Sequence, residues 1–244
     1  MISRHTLQYD KLNLIATDIP KNASTTFKNW VCHQYGWSGY EYMGEITPKY
    51  FWNYFRHIKS PKSFKQSDYT KLIILRHPYK RFISGFCNKF LEHHHDQGFA
   101  GNHLRNIGIS KPPKKVSIIE ILKAMDNTKN KSKFDLHFMP QYLYFRGIDI
   151  HLYDYILQVS SLTEQFNKIC KKEGWGKLQE RSIKTPYRDI PEDDKLHKRS
   201  VQEIKNKYGV PKQKYFLNNT IKSLIKSVYE KDYSIFTEVF NETI

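Results

Sequence analysis

Lysine and hydroxyl side chains gather in Pro20-Lys-Asn-Ala-Ser-Thr-Thr26, directly after a short apolar run that begins at Leu14. An apolar strand, a tight turn and a helix opening at the hydroxyls would present backbone N–H groups and a helix N-terminus to an anion. Lys21 adds a mobile positive charge, and Ser24, Thr25 and Thr26 add hydroxyl donors. The spacing predicts a phosphate-binding loop. It differs from the nucleotide loop G-x-x-x-x-G-K-[ST], because no glycine falls between Asn13 and Trp30 and the lysine precedes the hydroxyls. Such a loop suits one phosphate with a further group attached. An ordinary helix capped by serine or threonine is the other reading of this segment taken alone.

A second segment, Lys71 to Phe86, repeats the strand-to-helix pattern. Leu72 to Leu75 reads as a buried strand with Arg76 at its end. Pro78 fits the first turn of a helix, and Phe82, Ile83 and Phe86 follow at helical spacing. Ser84 can face the same ligand as Arg76 if that helix folds back beside the strand end.

Together the two segments resemble sulfotransferases that use 3′-phosphoadenosine 5′-phosphosulfate (PAPS), above all the carbohydrate sulfotransferases of the heparan 2-O and chondroitin groups. The resemblance implies that Pro20, Lys21, Asn22, Ala23, Ser24, Thr25 and Thr26 hold the 5′-phosphosulfate. Arg76, Pro78, Arg81 and Ser84 match an Arg-x-Pro-x-x-Arg-x-x-Ser segment, in which Arg76 and Ser84 would hold the 3′-phosphate. The chain departs from the family in having His77 where Asp is usual. Asp135-Leu-His-Phe-Met-Pro-Gln141 is similar to the family's His-[Phe/Trp]-x-Pro-Gln stretch, which a Tyr-Asp strand follows at Tyr153-Asp154. Val228 to Phe236 is similar to its closing helix. Ser160 stands where the family often has Glu. A late basic loop closes over the nucleotide in related enzymes, and the resemblance would make Ser182, Lys184 and Thr185 its equivalents here; ordinary solvated residues are the other, and favoured, reading of these three. The likeness runs from about residue 12 to 238.

Sulfuryl transfer asks a protein to neutralise the leaving phosphate, align the acceptor and remove its proton, which is work of positioning and charge stabilisation. Lys21 suits the charge growing on the bridging oxygen. Related enzymes place a catalytic Glu or His between the two phosphate motifs, and Gly44-Glu45-Ile-Thr-Pro48 resembles that region. Glu45 is the expected general base, with His137 as the alternative base or an acceptor-orienting group. The reaction requires no metal, and adjacent side chains in Glu92-His-His-His-Asp96 point in different directions, a poor arrangement for chelating one ion. The other reading has these side chains lining an acceptor groove.

The elements that must position these residues imply an α/β fold, a single domain over 1–244 with a central, mainly parallel sheet flanked by helices. It is the P-loop-kinase-like shape of the sulfotransferases, with ligands at the carboxyl ends of strands. Gln97 to Pro113, rich in glycine and proline, reads as a long loop. Val116 to Met125 and Leu162 to Lys172 read as helices, the latter ending at Gly174. A formal charge of +16 gives a field that attracts polyanions such as PAPS or an acidic glycan. The expected partner is an acidic or neutral saccharide acceptor, with no nucleic acid. Cys32, Cys87 and Cys170 form neither a disulfide framework nor a C-x-x-C metal pattern. No apolar leader and no stretch of membrane-span length occurs, so a cytoplasmic protein is expected. Oligomeric state is not legible. Two other functions fit the same composition, a non-catalytic basic module that binds polyanions or glycans and a nucleotide-dependent phosphotransferase. The second predicts glycines that the loop lacks.

Overall fold

Short apolar runs buried on both faces build the part of the sheet that carries both motifs. The computed structural model describes residues 5–37, 51, 53–92, 97–178 and 187–241. Strands β1 (Thr6–Tyr9), β2 (Leu14–Thr17), β3 (Arg56–His57), β4 (Thr70–Leu75) and β5 (Tyr155–Gln158) form one sheet in the order β3-β1-β2-β4-β5. Strands β2, β4 and β5 are mutually parallel, whereas β1 runs antiparallel to β2 and β3. The sheet is therefore mixed, and its parallel part is the one bearing the phosphate motifs. The helices are α1 (Ser24–Gln34), α2 (Pro61–Lys65), α3 (Pro78–Phe86), α4 (Gln97–Asn106), α5 (Ile118–Asn127), α6 (Leu162–Glu173), α7 (Val201–Tyr208), α8 (Asn219–Val228) and α9 (Glu230–Phe240).

The chain divides into two compact units, Met1–Arg76 with Gln141–Ile183, and His77–Pro140 with Lys184–Ile244. The sheet belongs to the first. Leu14, Ala16, Leu72, Ile74 and Leu157 share one apolar cluster with Phe27, Trp30 and Val31 of α1 and Phe166 and Ile169 of α6. Ile15, Ile73 and Leu75 alternate with them and are also buried. Burial on both faces explains why these strands read as unbroken apolar runs. Helix α6 ends at Gly174, whose φ of 71° gives the left-handed cap that glycine adopts without a Cβ clash.

The second unit is helical. Phe82, Phe86 and Phe90 pack with Ile121 and Leu122 of α5 and Ile221 and Ile225 of α8. Capping boxes at Ser117/Glu120 and Ser200/Glu203 start α5 and α7, each satisfying two otherwise orphaned N–H groups. Beyond Phe86, α3 passes into a π-helical turn, Cys87–Glu92, with the Cys87 thiol buried.

Two expectations are corrected here. Gln97 to Pro113 is not a loop throughout, because α4 occupies Gln97–Asn106. Ala100, Leu104 and Ile107 fall at helical spacing and are buried, and that burial outweighs the propensity cost of Gly98 and Gly101. The strand expected at Tyr153-Asp154 begins two residues later, at Tyr155. Both residues serve its approach through their side chains: Thr17 Oγ1 and the Tyr153 hydroxyl are 2.7 Å apart, and Lys71 N donates to the Asp154 carboxylate at 2.7 Å.

Candidate functional site

Parallel pairing brings the two motifs together in the first unit. Thr17 lies opposite Ile73, so the chain leaving β2 runs beside the end of β4. Asn22 N donates to Ile19 O at 3.1 Å, closing a tight turn. Lys21 and Ala23 take left-handed φ values of 71° and 59°, which are unfavourable for side chains other than glycine. Fixed contacts hold them there. Asn22 is buried, and its Nδ2 donates to Ile74 O at 2.8 Å and to Gln141 Oε1 at 2.5 Å. Arg76 Nη1 donates to Lys21 O at 2.8 Å. Gln141 completes the frame, its Oε1 accepting from Arg76 N at 3.1 Å and its Nε2 donating to Arg76 O at 2.8 Å.

Helix α1 begins at Ser24 behind this turn. No side chain caps it, and its first turn holds no acidic residue. The Ser24, Thr25 and Thr26 side chains are half-buried at that end, so hydroxyls and the positive end of the helix dipole are presented together. The turn's one carboxylate, Asp18, is buried against Lys28 with Nζ–Oδ2 of 2.9 Å. That pairing offsets a charge that would otherwise repel an anion. The structure thus brings Pro20 to Thr26 and Arg76 into one arrangement.

In the second unit, Pro78 stands at the first position of α3 and His77 at its N-cap. His77 Nδ1 accepts from Tyr79 N at 3.2 Å. The imidazole therefore performs the capping for which Asp is suited, and the ring packs edge-on to Tyr233 and Phe236. Arg81 is buried and donates from Nη1 to Met139 O at 2.7 Å and from Nη2 to Leu136 O at 3.2 Å. Its place in the Arg-x-Pro-x-x-Arg-x-x-Ser segment is thus to hold the loop before Gln141. Gly85 lets that loop approach, since a Cβ there would lie 3.0 Å from the Phe138 ring and 3.3 Å from His137 O. Ser84, the last residue of the segment, is half-buried on α3.

The same loop carries His137. Asp135 Oδ1 accepts from His137 N at 2.9 Å and lies 2.6 Å from His137 Nδ1. Burial by itself raises the Asp135 carboxyl, but the hydrogen bonds and charge of His137 outweigh it and hold the group below the usual range. With Asp135 on Nδ1, Nε2 is the ring atom suited to exchange a proton.

His103 supports the loop from below, its Nδ1 accepting from Asp135 N at 3.3 Å while its ring stacks on Phe138. Burial drives this imidazole from 6.5 down to about 4, only partly offset by the Asp135 carboxylate. Between those values the unfolded chain binds a proton that the folded unit does not, so stability is complete above pH 6.5 and falls as pH drops toward 4. The expected loss is about 1.4 kcal/mol per pH unit, or about 3 kcal/mol in all. Urea denaturation across this window should be less steep in pH for His103→Gln than for the native chain. Equal slopes would remove His103 as the cause.

Of the sequence-predicted site residues, Glu45, Ser182, Lys184 and Thr185 lie outside the described residues, as do His93 to Asp96. Gln141, Asp135 and the structural use of Arg81 were not anticipated, although all three sit inside motifs visible in the sequence. Among the described residues no group of His, Cys, Asp and Glu is placed to hold a metal ion. Among them, too, no helix is long and apolar enough to cross a membrane.

Comparison with known families adds a broader constraint. Residues 4–237 match the model of a family described as the sulfotransferase family, and the match runs through both units. No curated protein and no solved structure matches the chain.

Proposed function

The chain belongs to the sulfotransferase family, and we propose that it transfers a sulfuryl group from PAPS to a hydroxyl of a carbohydrate acceptor, releasing PAP. The observation that carries this reading is the glycine-free turn. Lys21, the uncapped start of α1 and Arg76 are locked together there through Arg76 Nη1 and Lys21 O. We treat the two units as one sulfotransferase domain, in keeping with the extent of the family match.

In the proposed reaction the bond from sulfur to the bridging phosphate oxygen breaks as the acceptor oxygen bonds to sulfur. Lys21 meets the negative charge that grows on the bridging oxygen, aided by N–H groups and hydroxyls from Ala23 to Thr26. Arg76, whose guanidinium carries several donors, and Ser84 hold the 3′-phosphate. Ser182, Lys184 and Thr185 are assigned to closure over the nucleotide. Glu45 takes the acceptor proton, and His137, oriented by Asp135, is the alternative base or an acceptor-orienting group. The roles are filled by this chain's own cations and dipoles, so the reading asks for no metal. The formal charge of +16 supports an acidic saccharide as acceptor, because such a field speeds capture of a polyanion.

Calorimetric titration with PAP, and with ADP as control, tests the donor site. Micromolar PAP affinity without Mg²⁺, and weaker ADP binding, is the expected result. Equal affinities would sink the PAPS reading. Glu45→Gln should leave PAP affinity unchanged and lower turnover by about 10²-fold or more; near-normal turnover would transfer the base role to His137. The same net charge also favours a second reading, a non-catalytic polyanion binder. That reading predicts a steep salt slope of glycan binding and indifference to Lys21 and Glu45.

A further inference from the structure

The second unit contains a cavity of about 500 Å³ that the donor chemistry leaves unused. It is lined by His77, Tyr79, Lys80, Leu217, Lys222, Ser223, Lys226 and Tyr233. Neither Ser84 nor Arg81 contributes to it. Its volume falls within the range of small-molecule sites, about 300–1,000 Å³.

Three features of its wall point to one kind of ligand. The first is apolar surface, supplied by the rings of Tyr79, Tyr233 and His77 and by Leu217, an apolar side chain left half exposed. A half-exposed leucine beside a concave aromatic wall favours an occupant with an apolar body. The second is charge. Lys80, Lys222 and Lys226 converge on the cavity, and no carboxylate pairs with any of them among the described residues. Lys222 and Lys226 lie four apart on α8, hence on one helical face. The third is an unmet hydrogen bond. Tyr79 is more than nine-tenths buried, yet its hydroxyl has no partner. A buried hydroxyl without a partner costs about 1–3 kcal/mol, a cost that a bound acceptor would relieve.

We propose that this cavity is a binding site for a small aryl anion, with the ring against Tyr79, Tyr233 and Leu217 and the anionic head among Lys80, Lys222 and Lys226. On binding, the Tyr79 side chain shifts so that its hydroxyl, buried in this structure, donates to the ligand's ester or head-group oxygen. The lysine stems extend the apolar wall while their ammonium groups meet the charge. The site is assigned from this unit alone and does not depend on the donor reading.

The test uses 2-naphthyl sulfate as probe, with 2-naphthol as its neutral counterpart, titrated calorimetrically into the full chain. The sulfate is expected to bind with sub-millimolar affinity, and the naphthol about tenfold more weakly or worse, in line with a charge-assisted contact. Lys222→Ala/Lys226→Ala, changing two side chains that need not support the fold, should weaken the sulfate about tenfold and leave PAP affinity unchanged. Tyr79→Phe, which removes one oxygen, should weaken it several-fold. The titrations are repeated with saturating PAP and with Lys21→Ala. Binding that survives both supports the site. Binding that PAP abolishes, or that persists at full strength in the double lysine variant, overturns it, as does no binding at millimolar probe. Failure of the PAP titration removes only the PAP arms; the naphthol comparison, the double lysine variant, Tyr79→Phe and Lys21→Ala are read without donor.

Discussion

Lys21→Ala is expected to lower the rate of sulfuryl transfer by about 10²–10³-fold, the usual loss when one preorganised charge-stabilising donor is removed. The same change should weaken PAP binding by about tenfold, since PAP carries the charge that the leaving phosphate acquires. The fold should be nearly unaffected. Arg76 grips Lys21 through the backbone carbonyl, not the side chain, and alanine meets the same backbone restriction as lysine at φ 71°. Turnover with saturating donor and acceptor, together with a PAP titration, checks both parts. Near-native rates with intact folding would remove Lys21 from the chemistry.

Gln141→Leu should produce the second large effect, and of a different kind. Leucine fills a similar volume but offers nothing to Arg76 N, Arg76 O or Asn22 Nδ2, all of which Gln141 now satisfies. Asn22 keeps Ile74 O, so the main damage falls on the part-buried peptide groups of Arg76. At about 1–2 kcal/mol for each of the two bonds lost, stability should drop by about 2–4 kcal/mol. PAP affinity should fall about tenfold or more as the Arg76 end loses its register with the turn. Gln141→Glu retains the acceptor but cannot donate to Arg76 O, and should lie between. Urea denaturation paired with PAP titration separates the two consequences. Unchanged values in both would show that Gln141 is not the frame of the site.

What was legible in the sequence follows from locality. The turn after β2 and the passage from β4 into α3 announce themselves because each motif lies within one strand, one turn and one helix. The glycine cap of α6 was readable for the same reason. Helix α4 was not, because Gly98 and Gly101 argue against helix locally and only packing of Ala100 and Leu104 decides otherwise. Gln141 was visible as a motif letter, yet its purpose depends on Asn22 and Arg76, remote in sequence. Arg81 misleads in the opposite direction. A motif arginine beside a phosphate segment suggests a ligand contact, whereas its bonds to Leu136 O and Met139 O give it a place in the architecture.

The absence of glycine from the turn has a thermodynamic consequence. A glycine-rich loop surrenders much conformational freedom, either when the protein folds or when the ligand arrives. Lys21 and Ala23 begin with fewer accessible conformations in the unfolded chain, and folding confines them to left-handed φ values through the bonds of Asn22 and Arg76. Little disorder remains in the turn for the donor to remove. Ala23→Gly would ease the backbone at φ 59° but restore that freedom, so its affinity loss should appear as a less favourable binding entropy at nearly constant enthalpy. On the proposed reading, the specificity of this turn for an anion would be fixed at folding, with the heat of binding left to report contacts alone.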